Sequence, residues 1–564
     1  MSKINQLILM LLALILVLIA VIIYRPSPSP SPSHPISKMV ITPKSNYETY
    51  YIDPFKGNNK SPGTDKDKPW KDFVILKKVV FSPGAKILLK RNGIWHQTLK
   101  APSGGTKDEP IVIDAYGSGA TPVIDLQHRI NTGIRINHSY ISIKNLQIQN
   151  ARGNAIAVSV RDGLNHVLLD KLKILNSGKN GIGIMYGGKN LIISECHIEN
   201  SQNNGINLGG SPQNHLSHVI VSDCYIKKVM HNDGITIHTD SDDNDAGSHF
   251  LIRNNTAELC EENGFGIASG KKILLVNNKS SQNKLGGVIV GHRAEEVTIL
   301  GQTSTNEPTD MASAAINLQS DIGNVRLINS IIKGNGYHLL RIKTHNVAIY
   351  NNTFIWDGGG SPIDVDGKIE NVDFINNIVF SKQSAMSRIR FLKPSRPPDY
   401  KSFCFDHNIY YVPNHSAVFS HNNKNYSFEK YRKKFAVEIH SKDINPNFVN
   451  PKVDNYHLKQ NSPAIDTGRF LTVPVSRNKD LKVPIKKAIF FYKNQLSDDA
   501  QCVKIKGIHE KFHIIDMDYK NNVMTLNKEF SYDTGTAIGN CFSQSGPDIG
   551  AHEFNISSSL NLLQ

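Results

Sequence analysis

The stretch VLLDKLKI (Val167–Ile174) decides the fold, because variants of it return along the chain roughly every two dozen residues. Further copies are LIISECHI (Leu191–Ile198), VIVSDCYI (Val219–Ile226), VRLINSII (Val325–Ile332) and VAIYNNTF (Val347–Phe354). A second phrase recurs between them, as NGIGI (Asn180–Ile184), NGINL (Asn204–Leu208), DGITI (Asp233–Ile237) and NGFGI (Asn263–Ile267). A repeat period of about 20–50 residues predicts a solenoid, in which each repeat buries its apolar face against its neighbours.

Apolar and polar residues alternate within each copy, which is the period of a β-strand. We therefore expect an all-β fold, a coiled parallel sheet. The position five residues after the start of each copy changes from apolar to amide along the chain, as expected where inward side chains stack between coils. This position is occupied by Leu146, Leu172, Cys196, Cys224, Asn255, Asn278, Gln302, Ser330, Asn352 and Asn377.

The segments on either side of the repeats resemble those of bacterial carbohydrate-active β-helix proteins. The opening motifs are YYIDPFKGNNKSPGT (Tyr50–Thr64), PWKDF (Pro69–Phe73), PGAKILLKRNGIW (Pro83–Trp95) and DAYGSGATPVID (Asp114–Asp125), and the closing motifs are NSPAIDTG (Asn461–Gly468) and GPDIGAHEF (Gly546–Phe554). With the repeats, they make most of residues 50–554 similar to single-stranded right-handed parallel β-helix proteins, bacterial polysaccharide lyases among them. The resemblance implies that fold and suggests activity on carbohydrates.

The amino terminus carries an unbroken apolar run of eighteen residues, Leu7–Tyr24, which is long enough to cross a bilayer. A secretory signal is the alternative, but no small-x-small cleavage pattern follows the run. Arg25 and a Pro/Ser-rich tether come next. We expect a single-pass signal anchor over residues 1–24 and a linker over 25–48. The bulk of the chain would then lie outside the cytoplasm, in the periplasm or at the cell surface.

The remaining chain divides into two predicted parts. Residues 49–444 form the β-helix, with a short amphipathic capping helix around Asp65–Val80 and an irregular loop over 382–444. Residues 445–564 form a closing segment with a small β-rich insertion at about 480–545, where runs such as FHIIDMD and NVMTLNKEF have strand spacing. We expect the capping helix to cover an otherwise exposed sheet edge.

Charge and cysteine content narrow the choice of partners. The net charge of +15 favours a polyanion such as an acidic polysaccharide, although a solvated lysine surface explains it equally well. No basic patch interleaved with aromatic residues indicates nucleic acid.

Cys196 and Cys224 share one register in adjacent coils, which favours stacked buried thiols over a disulfide. Cys502 and Cys541 are the candidate pair for a bridge.

The Gly-Ile-x-Ile strands are expected to stack into one sheet whose outward residues form a shallow groove. Small residues occupy the middle of the groove, with His238 on one side and charged residues on the other. The outward pairs are Ala157/Ser159, Gly183/Met185, Asn207/Gly209, Thr236/His238, Gly266/Ala268, Ile289/Gly291, Asn317/Gln319, Arg341/Lys343 and Asp364/Asp366. The alternative is an ordinary solvated sheet face.

We predict a lyase-like enzyme acting on an acidic, uronate-containing glycan, and two alternatives fit the same residues. In a lyase acting on a uronate glycan, Arg341 would neutralise the carboxylate, and Lys343 or His238 would abstract the C5 proton. The predicted substrate-binding residues are Asn317, Gln319, Asp364, Asp366 and Asp233. In a glycoside hydrolase, two carboxylates would flank the scissile bond, with Asp364 and Asp366 as candidates. A non-catalytic glycan-binding or surface-structural β-helix is the third interpretation.

An acidic insertion, TDSDDNDAGS, follows His238. Its alternating oxygen ligands, Asp240 and Asp242 with Asn244 or Asp245, are of the kind that Ca²⁺ takes. The segment lacks the glycine and glutamate of an EF-hand loop, so a solvated acidic loop is the alternative. We therefore predict a calcium ion as the candidate cofactor, held by Asp240, Asp242 and Asp245. Asp233, on the turn before its strand, also fits plain turn chemistry.

Overall fold

The computed structural model describes residues 48–159, 163–211, 214–239, 245–319, 322–358, 360–366, 370–382, 388–392, 403–421, 424–493, 496 and 500–554. The predicted anchor and nearly all of the linker lie outside these residues. Among the residues described, no helix is both long and apolar enough to cross a bilayer.

The described chain winds into a right-handed parallel β-solenoid with three sheet faces. We call these faces Face 1, Face 2 and Face 3. Two long strands, Asn263–Val276 and Gly286–Leu300, run from Face 2 onto Face 1: their amino-terminal parts lie on Face 2 and their carboxyl-terminal parts on Face 1. The other strands of Face 1 are Thr49–Ile52, Lys86–Lys90, Ile111–Tyr116, Ile141–Lys144, Asn165–Asp170, Gly188–Ser194, Leu216–Ser222, Gly247–Arg253, Val325–Ile328, Val347–Tyr350, Val372–Ile375 and Phe403–Asp406.

Face 2 contains the strands of the Gly-Ile-x-Ile phrase. They are Leu99–Lys100, Ile134–Ile136, Ile156–Ser159, Ile182–Met185, Ile206–Gly210, Ile235–Thr239, Ile316–Leu318, Leu340–Ile342, Ile363–Asp366, Arg388–Leu392 and Val418–His421, closed by the antiparallel Lys424–Ser427. Face 3 comprises Ile94–Trp95, Val123–Asp125, Gln147–Ala151, Lys173–Ser177, His197–Ser201, Tyr225–Lys227, Thr256–Glu258, Lys279–Ser281, Thr303–Thr305, Ile331–Gly334, Thr353–Trp356, Ile378–Ser381, Ile409–Tyr411 and Lys442–Asp443.

The interior is filled by the inward residues of all three faces. Ile182 and Ile184 of one Face 2 strand pair in register with Ile206 and Leu208 of the next, and all four side chains are buried. Because each coil covers the apolar residues of its neighbour, a single hydrophobic core runs along the solenoid.

The predicted amide stack is present inside the later coils. The backbone N–H of Asn255 donates to Oδ1 of Asn278, and the same bond joins Asn352 to Asn377 and Asn377 to Asn408. The Asn278 side chain also donates to the Ile252 carbonyl oxygen. These bonds satisfy buried polar groups that would otherwise destabilise the core. In the earlier coils Cys196 and Cys224 occupy this register as buried free thiols, as predicted.

Short helices cover both ends of the described solenoid. The segment predicted to be an amphipathic helix contains one 3-10 helix, Phe73–Lys77, which Asp72 caps by accepting from the Val74 N–H. Phe73 and Leu76 are buried, and Phe73 stacks on Trp95. At the other end the α-helix Phe428–Phe435 buries Phe428 and Tyr431 against the last coil. Two further 3-10 helices span Pro451–Val453 and Ala488–Phe490.

The described parts of residues 382–444, which we expected to be an irregular loop, contain strands that continue the coils. The strands Arg388–Leu392, Phe403–Asp406 and Ile409–Tyr411 pair in parallel with the preceding coil on Faces 2, 1 and 3. The connection from Leu392 to Phe403 is longer than the corresponding connections of the three preceding coils, which interrupts the spacing that reveals the repeat in the sequence.

The predicted insertion is a five-stranded antiparallel sheet of Asn478–Pro484, Cys502–Ile505, Lys511–Asp518, Val523–Tyr532 and Ile538–Asn540. A disulfide joins Cys502 to Cys541, the predicted pair. Before the insertion, Phe448–Asn450 and Asn455–Leu458 form a two-stranded sheet. The segment around the insertion docks on Face 1, where Nε of Arg326 donates to the Ile489 carbonyl oxygen at 2.6 Å and Nζ of Lys487 contacts the Asp373 carboxylate.

Candidate functional site

The outward residues of Face 2 lie in the predicted register. Ala157 pairs with Gly183, Gly183 with Asn207, and so on to Arg341 and Asp364. Neighbouring strands in a sheet are about 4.8 Å apart. The strand that carries His238 is four steps from the strand before Lys343, so the two side chains are separated by roughly 19 Å along the solenoid. His238 therefore cannot act on the same sugar bond as Arg341 and Lys343, which lie together at one strand.

Arg341 is bound to the two carboxylates that we predicted would contact substrate. Its Nε lies 3.1 Å from Oδ2 of Asp364, and its Nη2 lies 3.4 Å from Oδ2 of Asp366. Its Nη1 donates to the Ala312 carbonyl oxygen at 2.7 Å. The Asp364 side chain is fully buried, and Nε2 of His338 lies 3.7 Å from its Oδ2. Arg341 is thus neutralised by the protein itself, which leaves it poorly suited to neutralising a substrate carboxylate.

The other predicted groove residues are more varied in exposure. Lys343 and Gln319 are half-buried, whereas Asn317 is buried. His238 is half-buried, and its Nε2 lies 2.6 Å from Oδ1 of Asn207, one coil earlier. Of the catalytic and substrate-binding residues predicted on these strands, His238, Gln319, Lys343 and the half-buried Asp366 are therefore the ones that a ligand on Face 2 can reach.

A column of asparagines borders Face 2 at the turn before each strand. Oδ1 of Asn154 accepts from the backbone N–H of Asn180, Asn180 does the same for Asn204, and Asn204 for Asp233. Asp233 continues the column, because its Oδ1 accepts from both N–H and Nδ2 of Asn263 at 3.0 Å. A carboxylate therefore stands at a position that amides fill in neighbouring coils.

Burial raises the pKa of Asp233, against the lowering effect of its hydrogen bonds to Asn263 and Thr236 and of the nearby His238. An amide in this position would make the same bonds to Asn263 without this cost. The acid is thus not needed for the ladder, and it is the kind of perturbed carboxyl group that marks functional sites.

A second carboxylate lies in the adjacent outer column. The side chain of Asn203 accepts from Nδ2 of Asn232, and Glu262 takes the next position, with its N–H bonded to the Asn232 carbonyl oxygen. Burial and the negative charge of Asp233 both raise the pKa of Glu262. Each of the two columns thus has an acid at one position: Asp233 in the inner column, and Glu262, one coil later, in the outer column. Our sequence analysis assigned Asp233 to substrate binding and missed Glu262, although the break in the Asn pattern was visible.

The distances separate this acid pair from Asp364 and Asp366. Five strand steps lie between the strand after Asp233 and the strand of Asp364, which corresponds to roughly 24 Å. Glycoside hydrolysis requires two carboxyl groups about 5–9.5 Å apart. Asp233 therefore cannot act with Asp364, whereas Glu262 lies in the next coil and is near enough for Asp233 to raise its pKa.

The predicted calcium ligands fall mostly outside the description. Asp240 and Asp242 are not among the described residues. Oδ1 of Asp245 accepts from the Gly247 N–H at 2.9 Å, and its Oδ2 lies 3.8 Å from Nζ of Lys271. Asp245 is thus engaged as a turn residue and as an ion-pair partner, and the calcium site stays a prediction.

A cavity of about 460 Å³ lies away from Face 2, between Face 1 and the carboxyl-terminal insertion. Leu251, Leu274 and Tyr519 are among its lining residues. Charged groups at its rim pair within the insertion, as Nζ of Lys493 does with Asp516 at 3.0 Å. We interpret this cavity as a gap in the packing between the insertion and the solenoid.

Comparison with known proteins agrees with this fold. Residues 132–304 match the family model described as "Right handed beta helix region". The chain is a right-handed parallel β-helix repeat protein. A stretch of 141 residues, 20% of this chain, is 27% identical to a lacto-N-biosidase of Bifidobacterium longum subsp. longum and spans 9% of that protein's length.

Solved structures with a similar fold include two carbohydrate-active enzymes. A lacto-N-biosidase from Eubacterium ramulus is 14% identical, with a TM-score of 0.36 and coverage of 65% of this chain and 64% of that chain. A pectate lyase is 15% identical, with a TM-score of 0.38 and coverage of 91% and 97%. These similarities concern the fold alone.

Proposed function

We propose that this chain hydrolyses glycosidic bonds of a glycan that lies along Face 2, with Asp233 and Glu262 as the carboxyl pair. The observation that carries the proposal is the replacement of an amide by a buried carboxyl group at Asp233. The short sequence match to a protein named lacto-N-biosidase supports a glycan substrate and cleavage by hydrolysis.

The environment of the two acids suits their roles. A raised pKa keeps a carboxyl group protonated at a pH where an ordinary aspartate is ionised, so Asp233 can donate a proton to the leaving oxygen. Two carboxyl groups close together resist double ionisation, and the pKa of Glu262 is raised in part by Asp233. The pair therefore holds one proton over a range of pH, with one member as acid and the other as base or nucleophile.

Elimination on a uronate glycan is the second candidate. Lys343 is half-buried on Face 2 and can serve as the base, and the net charge of +15 favours an acidic polysaccharide. Arg341 no longer supports this mechanism because Asp364 and Asp366 neutralise it. Calcium would supply the missing positive charge, so a chelator should abolish an elimination reaction and leave Asp233-dependent hydrolysis unchanged.

Product analysis on a panel of neutral and acidic glycans tests the choice. Hydrolysis gives new reducing ends without ultraviolet absorbance, whereas elimination gives an absorbing unsaturated uronate. We expect reducing ends from the wild type and none from Asp233→Asn. Binding without any product would instead indicate a non-catalytic glycan-binding β-helix and would overturn the proposal.

We also propose that the solenoid works outside the cytoplasm, anchored by residues 1–24. The apolar run and the Pro/Ser tether support this location, and the Cys502–Cys541 disulfide suits an oxidising compartment. Protease added to spheroplasts, in which the periplasmic face of the inner membrane is open to the medium, should digest the β-helix and release it from the membrane fraction. Full protection of the chain in spheroplasts, with digestion only after lysis, would contradict this location.

A further inference from the structure

Three metal-binding side chains meet on the outer surface near the carboxyl-terminal end of the solenoid. Asp406 is the last residue of the Face 1 strand Phe403–Asp406, and His407 follows it with a positive φ of 55°. His440 comes from the segment after the capping helix Phe428–Phe435. The sequence gives no indication of this cluster, because His440 lies 34 residues beyond Asp406.

The ligand atoms are close enough to share one ion. Nδ1 of His440 lies 2.7 Å from Oδ2 of Asp406, and Nδ1 of His407 lies 3.3 Å from the same oxygen. All three atoms lie within 4.8 Å of one another. In a tetrahedral zinc site with bonds of about 2.0 Å, ligand atoms are about 3.3 Å apart. One of the two distances already has this value, and the other needs to open by roughly half an ångström.

The surrounding bonds fix the carboxylate in a suitable orientation. The backbone N–H of His440 donates to Oδ1 of Asp406 at 2.7 Å, which leaves Oδ2 facing the two imidazoles. The two rings stack with their centroids 4.7 Å apart and an angle of 30° between their planes. This arrangement brings both Nδ1 atoms to the same side. The outer-shell bond to Asp406 is of the kind that orients ligands in metal sites.

We propose that Asp406, His407 and His440 bind a divalent transition-metal ion, with zinc as the first candidate and water in the fourth position. The two imidazole ligands favour zinc and its neighbours over calcium and magnesium, which prefer oxygen ligands alone. The His440 side chain is 63% exposed, so an ion can enter from solvent with little rearrangement. The site is independent of the acid pair on Face 2, and the proposal does not depend on the activity of this chain.

The site has a structural consequence. It connects the last Face 1 strand to the segment that leaves the capping helix, so the ion ties the cap to the coil beneath it. A ligand that binds only the folded state raises the unfolding temperature. We therefore expect zinc to stabilise the chain and a chelator to reverse the effect.

A bare ion pair between Asp406 and protonated imidazoles is the alternative. The two differ in their response to zinc, because a metal site binds the ion with release of protons and is stabilised by it, whereas a bare ion pair has no need of the ion.

The test is a zinc titration of the full chain, purified without a polyhistidine tag and stripped with a chelator, at about pH 7.5 and pH 5.5. We expect one strong site at the higher pH, much weaker binding at the lower pH, and a rise in unfolding temperature with zinc. His440→Ala and Asp406→Asn should each lower zinc affinity by more than the roughly 10–100-fold typical of outer-shell changes.

His457→Ala serves as the matched control, because the exposed His457 also stacks on another histidine, His552, at 4.0 Å. It should leave the strong site intact. Cobalt binding adds a readout of ligand type, since its visible spectrum reports the coordination geometry. Equal zinc affinity in the wild type and His440→Ala, with both folded by circular dichroism, would overturn the proposal. So would the absence of any zinc-dependent stabilisation in the wild type.

Discussion

The carboxylate of Asp233 rests directly on Gly266 of the next coil, where an added Cβ atom would lie 1.9 Å from Oδ2. The same relationship joins Asn154 to Gly183, where an added Cβ atom would lie 2.7 Å from Nδ2. Each glycine makes room for the ladder side chain of the preceding coil. The pair thus provides a matched test of whether the position of the acid matters.

Gly266→Ala should displace the Asp233 carboxyl group and lower turnover of the glycan by about a hundredfold, because small misplacements of catalytic groups are this costly. Gly183→Ala should disturb the Asn154 amide and leave turnover close to that of the wild type. Steady-state rates and unfolding midpoints of both variants check this expectation. Equal loss of turnover in the two variants would point to a general disturbance of Face 2.

Asp233→Asn should separate catalysis from folding. Asparagine fills the equivalent positions at Asn180 and Asn204, so the variant keeps the ladder bonds and its unfolding free energy should change by less than about 1 kcal/mol. Turnover should fall by about 10²–10⁴-fold if Asp233 is the general acid. In the wild type, activity should decline as the pH rises through the raised pKa of this acid. Denaturant unfolding and a pH–rate profile measure both effects, and a fully active variant contradicts the role.

Glu307 should make stability depend on pH. Burial raises its pKa to about 8, while Asn283 donates to it from its backbone and side-chain nitrogens. The folded state then keeps a proton that the unfolded state loses near pH 4.5, so stability should fall as the pH rises from about 4.5 to about 8. The loss attributable to this group is on the order of 5 kcal/mol.

Glu307→Gln should flatten that part of the stability profile, because the amide has no proton to lose. The measurement is urea unfolding at several pH values, with the difference between variant and wild type plotted against pH. A difference that stays constant from acid to mildly alkaline pH would show that Glu307 titrates normally.

Asp364 and Asp366 should differ in their effect on stability although both contact Arg341. Asp364→Ala leaves the buried Arg341 without its closest charged partner, and the expected cost is about 3–5 kcal/mol. The Asp366 side chain is 30% exposed, and Asp366→Ala should cost about 1 kcal/mol or less. Equilibrium unfolding in denaturant compares the two. Similar costs for both would mean that Asp364 is compensated by other groups.

The sequence predicted those parts of the fold that follow the repeat period. The stacked Cys196 and Cys224, the inward amides and the outward row of Face 2 all depend on alternation and on a constant coil length, so they could be assigned from spacing alone. The insertion and its Cys502–Cys541 bridge were also located correctly. The coils after Ser381 were missed because their connections are longer.

The state of the groove residues was harder to predict. Alternation places Arg341 and Asp364 on neighbouring strands with the same outward orientation. It does not show that Arg341 also reaches the Ala312 carbonyl oxygen, because Ala312 lies in a connection between strands, where the sequence does not alternate. Burial of the pair and loss of a free guanidinium therefore required coordinates. The Asp406–His440 contact depends likewise on the path of the chain around the capping helix.

The return of the chain onto Face 1 has a mechanical consequence. A solenoid held only by nearest-neighbour contacts can fray from its end one coil at a time. Here Arg326, Tyr350 and Asp373, on three successive coils, each hold the segment Lys487–Phe490. Unwinding these three coils under tension would first require the segment Lys487–Phe490 to be detached from all of them. These coils should thus unfold together in one mechanical step, and not one coil after another.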